Sequence, residues 1–80
     1  MNNTKKRAIY EIARDIRSEW QKPYFGAVPY LNALFSLTDK QSKFGFDNAQ
    51  SIVSYFLANA STFRGGRAKE LKQELKEAVK

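Results

Sequence analysis

Residues 23–37, PYFGAVPYLNALFSL, leave the chain few ways to fold. From Ala27 onward the stretch offers Val28, Tyr30, Leu31, Ala33, Leu34, Phe35 and Leu37, interrupted by Asn32 and Ser36 as its only polar side chains. A helix that is apolar nearly all round has to be enclosed by other elements. The stretch is therefore read as a hub helix, about 27–37, against which the other segments pack. Pro29 suits this reading, because the first turn of a helix does not use its backbone N–H.

The flanking segments carry the stripes that such a hub requires. Ile9, Ile12, Ala13, Ile16 and Trp20 recur at helical spacing, which predicts a helix over about 5–21 with Thr4 as its cap. Arg7 with Glu11, and Glu11 with Arg14, are spaced to pair along its outer face. Asp47 followed by Gln50 reads as a helix start. It leads into a helix over about 48–60 with Ala49, Ile52, Val53, Phe56, Leu57 and Ala60 on one face. Ala68, Leu71, Leu75, Ala78 and Val79 form a narrower stripe over about 67–79. Residues 38–45, TDKQSKFG, read as a polar loop, and residues 61–66, STFRGG, as a turn. No strand pattern and no repeat is visible. The expectation is an all-α fold, one domain over 1–80 with 1–3 as a flexible tail. Its core would contain Ile12, Ile16, Trp20, Leu31, Leu34, Phe35, Ile52, Val53, Phe56, Leu57, Leu71 and Leu75.

Composition narrows the possible functions. There is no cysteine and no histidine. Disulfides, thiolate metal sites and the commonest general base are thereby excluded. The eight carboxylates are spread over predicted helix surfaces, with no Walker loop, G-x-G-x-x-G or S-x-x-K sequence. The chain is expected to be no enzyme, with no catalytic residue, no metal site, no cofactor and no small-molecule substrate. The first residues do not form a signal peptide, and no apolar run reaches the roughly 20 residues needed to cross a bilayer. A cytoplasmic protein without a membrane partner is expected.

The net charge is +6, divided evenly: each half has seven basic and four acidic residues. Such a balance favours an anionic partner. The cations gather at two predicted helix starts, where they oppose the helix dipole unless an anion joins them. Lys5, Lys6 and Arg7 begin the first helix. Arg64, Gly65, Gly66, Arg67, Lys69 and Lys72 surround the start of the last. Phe63 beside the RGG turn, and Trp20, Tyr24 and Phe25 beside Lys22, have the aromatic–basic mixture of single-strand nucleic-acid contacts. Trp20 lies on the apolar stripe of the first helix, so core packing is its default reading, and Tyr24, Phe25 and Phe63 fit lids over the core better than stacking platforms. A helix-turn-helix pair ending in a recognition helix over 67–76 is a further option, although its turn is long for the motif.

The runs YFGAVPYLNAL and YFLANASTFRG resemble those of short helical proteins encoded by phages and other mobile elements. The resemblance spans about residues 20–75 and implies a phage-type accessory protein. It transfers no site residue. The leading expectation is a small basic binding module that contacts nucleic acid through its basic helix starts. The alternative is a protein-interaction module, either a homodimer or an inhibitor or adaptor of a host protein.

Overall fold

The structure, a computed structural model, describes residues 7–80. The expected cap Thr4, the 1–3 tail and the cations Lys5 and Lys6 lie outside the described residues. Among the described residues there are four α-helices: α1 (Ile9–Glu19), α2 (Val28–Leu34), α3 (Ala49–Ala58) and α4 (Gly66–Ala78). The fold is all-α. α1 packs chiefly on α4 and α2 on α3, while α1 also touches α2. One hydrophobic core joins both pairs. Ile9, Ile12, Ala13, Ile16 and Trp20 meet Leu31, Leu34, Ile52, Val53, Phe56, Leu71 and Leu75, all buried.

The hub helix is shorter than its apolar sequence suggests. A 3₁₀ turn (Phe25–Ala27) leads into α2, with Pro29 in its first turn. After Leu34 the backbone continues only as turns, yet Leu37 remains fully buried. Gly26 lies within the 3₁₀ turn. Phe35 corrects the expected core: it is 37% exposed at the end of α2, and the Arg17 guanidinium covers its ring at 4.9 Å. Leu57 is only partly buried, at the margin of the core. Phe25 and Tyr24 are not lids, since both rings face solvent.

The loop before α3 contains an element that the sequence reading lacked. β1 (Lys43–Phe44) and β2 (Asp47–Asn48) form an antiparallel hairpin, with Phe44 opposite Asp47. Gly45 has φ +63° and Phe46 is not in the positive-φ region. This is the pattern of a Gly-X turn, in which glycine alone takes the first position without strain. Asn48, the last residue of β2, caps α3 in place of Asp47, its Oδ1 accepting from the Ser51 N–H at 2.8 Å.

Candidate functional site

The two basic helix starts have different fates. At α1 the groups that could receive an anion are already satisfied. The Ile9 N–H donates to the Thr38 carbonyl at 2.9 Å, and the Tyr10 N–H to the Leu37 carbonyl at 3.0 Å. The Ala8 N–H donates to Glu11 Oε1 at 2.9 Å. Glu11 thus caps the helix instead of pairing with Arg7. The free N–H groups that make a helix start attractive to phosphate are used by the chain itself.

Arg7 is likewise committed. Its Nε and Nη2 donate to the two carboxylate oxygens of Glu74, both at 2.7 Å, and its Nη1 to Asp15 Oδ2 at 2.7 Å. Arg67 donates to the same Asp15 oxygen at 3.1 Å and to Glu70 at 3.3 Å. Arg7 and Arg67 therefore fasten α1 to α4 through Asp15 and Glu74, while Glu70 steadies Arg67 from within α4. The planar guanidinium suits this forked geometry. The hydrogen bonds to Glu74 and then Asp15 raise the Arg7 pKa above its usual range. The Arg7 hydrogen bond, followed by the charges of Arg7, Arg67 and Arg14, holds the Asp15 carboxyl below its ordinary value, against a smaller desolvation effect. An open cleft of about 250 Å³ lies beside this network, lined by Arg7, Ala8, Thr38, Asp39 and Ala78. Its one guanidinium is occupied by the carboxylates.

The remaining cations gather on one flank of α4. At 3.6 residues per turn, Lys69, Lys72 and Lys76 fall at i, i+3 and i+7 and stack along one side. Glu70, Glu74 and Glu77 fall at i, i+4 and i+7 and stack along the other side. The glutamate flank faces α1, where Glu74 receives Arg7. The lysine flank continues toward the turn before the helix: Lys72 Nζ lies 5.8 Å above the Phe63 ring. Partial burial, then the charges of Arg64 and Lys76, lower the Lys72 pKa. Arg64, Lys69, Lys72 and Lys76 form no salt bridge among the described residues. Arg64 uses only its Nε, donating to the Ser61 carbonyl at 3.4 Å.

Gly65 caps α4 with φ +111°, and side-chain positions at Gly65 and Gly66 would border open space. Of the sequence candidates, Arg64, Gly65, Gly66, Lys69 and Lys72 thus cluster at one end and flank of α4. Arg7 and Arg67 are turned into the α1–α4 bridge instead. Lys76, which the sequence offers only as part of the helix-turn-helix option, joins Lys69 and Lys72 on the same flank, and a helical wheel of α4 separates it from the glutamates.

The aromatic candidates divide as well. Phe63 and Trp20 are buried and stacked, with centroids 5.1 Å apart and planes 20° apart, and Phe56 meets the Trp20 ring at 77°. Neither Phe63 nor Trp20 presents a face to a base. Among the described residues no helix is long and apolar enough to cross a membrane. No family model, curated protein or solved structure matches this chain.

Proposed function

We propose that this is a non-catalytic helical binding module that holds nucleic acid against the basic flank of α4. The observation that carries the reading is the segregation of charge on that helix. Arg64, Lys69, Lys72 and Lys76 share one side without carboxylate partners, while the glutamates occupy the other. Partial burial, and after it the nearby charges of Arg64 and Lys76, lower the Lys72 pKa, and an approaching phosphate would offset both.

The same segregation argues against α4 as a major-groove recognition helix. The groove is about 12 Å wide, so both flanks of an inserted helix approach phosphate walls. Glu70 and Glu77 would meet one of those walls. The helix is better suited to lie along a single phosphate strand with its lysine side. With Phe63 and Trp20 stacked on each other inside the core, binding rests on phosphate neutralisation rather than base stacking. Three or four neutralised phosphates correspond to a log–log salt slope of roughly −2 to −3 on a single strand. Fluorescence anisotropy with labelled single- and double-stranded DNA and RNA at low salt tests this. Binding that weakens along that slope supports the reading, and no binding at tens of micromolar overturns it. A role as a cytoplasmic accessory protein of a mobile element is compatible with this activity and rests on the sequence resemblance alone.

The alternative, a protein-interaction module, is favoured by a separate observation. α2 and α3 carry no charged residue, and aromatic rings are exposed beside them.

A further inference from the structure

Charge is distributed very unevenly over the molecule. No charged residue occurs from 23 to 38 or from 48 to 63, whereas α1 carries five and α4 seven. The 3₁₀ turn, α2 and α3 are therefore uncharged throughout, and two ring pairs, Tyr24–Phe25 and Tyr30–Tyr55, lie on them with Gly26 and Asn59 between. Phe25 and Tyr24 lie 4.9 Å apart. The Tyr24 ring covers Gly26, where a Cβ would come within 2.5 Å of it and 3.0 Å of Asn59 Oδ1. Asn59 donates to the Tyr55 carbonyl at 2.9 Å, and the Tyr55 ring lies 5.4 Å from that of Tyr30. Phe25 is 80% exposed and Tyr24 and Tyr55 are each 46% exposed. Beside Tyr55, the exposed ridge of α3 consists of Ser54 and Ala58, small side chains that allow a second helix to come close.

We propose that this face docks a second copy of the chain across a two-fold axis, with α3 against α3. The choice of occupant follows from charge. Each copy carries +6, so two copies repel one another unless they meet where neither has charge. The α3 side is such a surface. A strongly charged partner would find no complementary group there. Homodimer interfaces are the more apolar kind, with aromatics enriched and charges depleted at the centre. At roughly 200 Å² per ring, Phe25, Tyr24 and Tyr55 expose about 350 Å² between them. That is a substantial part of the roughly 800 Å² each partner contributes to a standard interface. The α3 ridge and Tyr30 extend the same face. The face contains none of the α4 cations, so dimerisation does not depend on the nucleic-acid reading.

Sedimentation velocity on the full chain from about 5 to 500 μM tests the proposal over the range where modest interfaces assemble. A monomer–dimer transition is expected. Phe25→Asp and Tyr55→Asp should each weaken it at least tenfold, while Phe46→Ser, at the fully exposed hairpin tip, should leave it intact. Raising salt should not weaken the dimer. A monomer throughout overturns the proposal, as does a dimer indifferent to both Asp variants or one lost in Phe46→Ser. Should the Asp variants fail to fold, concentration-dependent NMR shifts of the unaltered chain decide. Shifts centred on Tyr24, Phe25, Ser54, Tyr55 and Ala58 support the proposal, and shifts centred on α1 or α4 refute it.

Discussion

Arg7→Ala separates a structural arginine from a ligand-binding one. Arg7 makes three hydrogen bonds of 2.7 Å to carboxylates, two of them to a residue 67 positions away. Its side chain and those of Asp15 and Glu74 are about one-third exposed, so solvent screens the interaction. A charge-assisted hydrogen bond contributes roughly 1.5–3 kcal/mol when sheltered, and an exposed ion pair at most about 1 kcal/mol. A loss of about 1–2 kcal/mol follows for the partly sheltered bridge. In a domain of this size that corresponds to a fall in Tm of roughly 4–16 °C. Arg7→Lys should recover only part of the loss, because an ammonium cannot reproduce the fork to Glu74. Thermal melts by circular dichroism measure the stability, and fluorescence anisotropy with a labelled oligonucleotide measures affinity on the folded variant. Arg7→Ala is expected to lower Tm and leave affinity nearly unchanged. Lys72→Ala is expected to lower affinity and leave Tm nearly unchanged. An Arg7→Ala variant with full Tm and an affinity loss matching that of Lys72→Ala would refute the assignment of Arg7 to the bridge.

Other perturbations probe the rest of the fold. Leu31→Ala or Leu34→Ala, both at fully buried positions, should cost roughly 2–5 kcal/mol in urea unfolding. That is a large share of the 4–12 kcal/mol typical of such a domain. Gly65→Ala places a side chain at φ +111° and should cost about 1–3 kcal/mol. The neighbouring Gly66→Ala, in the first turn of α4 with open space around it, should instead raise stability by about 0.4–1 kcal/mol. Equal effects at the two glycines would contradict the geometry of that turn. The Asp15 pKa is lowered by folding, so its stabilising contribution is complete above the unfolded value of about 3.9 and is lost as pH falls through the folded value. Between pH 4 and 2, Tm should therefore drop more steeply for the natural chain than for Asp15→Asn.

Much of the fold was legible because it is written in local periodicity. The stripe Ile9, Ile12, Ala13, Ile16, Trp20 is buried throughout, as are Ala49, Ile52, Val53, Phe56 and Ala60. The features that escaped depend on contacts distant in sequence or on very short elements. Strands of two residues have no period to detect, and only the Gly45–Phe46 pair hinted at a hairpin. Phe35 looks like core by spacing, but α2 ends at Leu34 and the next residue turns outward. The same limit applies to the candidate site. A run of cations announces positive charge without revealing which of them the fold neutralises. Arg7 meets Glu74 across the α1–α4 contact, and α1 is closed by carbonyls of Leu37 and Thr38. The lysine flank of α4, by contrast, was fully encoded in helical spacing.

The most direct test of the α4 flank as the binding surface compares two variants with the same loss of positive charge. One carries Lys69→Glu, Lys72→Glu and Lys76→Glu. The other carries Lys22→Glu, Lys40→Glu and Lys43→Glu. Anisotropy titrations with a labelled single strand at low salt are expected to show binding abolished in the first variant and retained, with modest weakening, in the second. Equal loss in both would mean that net charge alone attracts the nucleic acid, contradicting a site on α4.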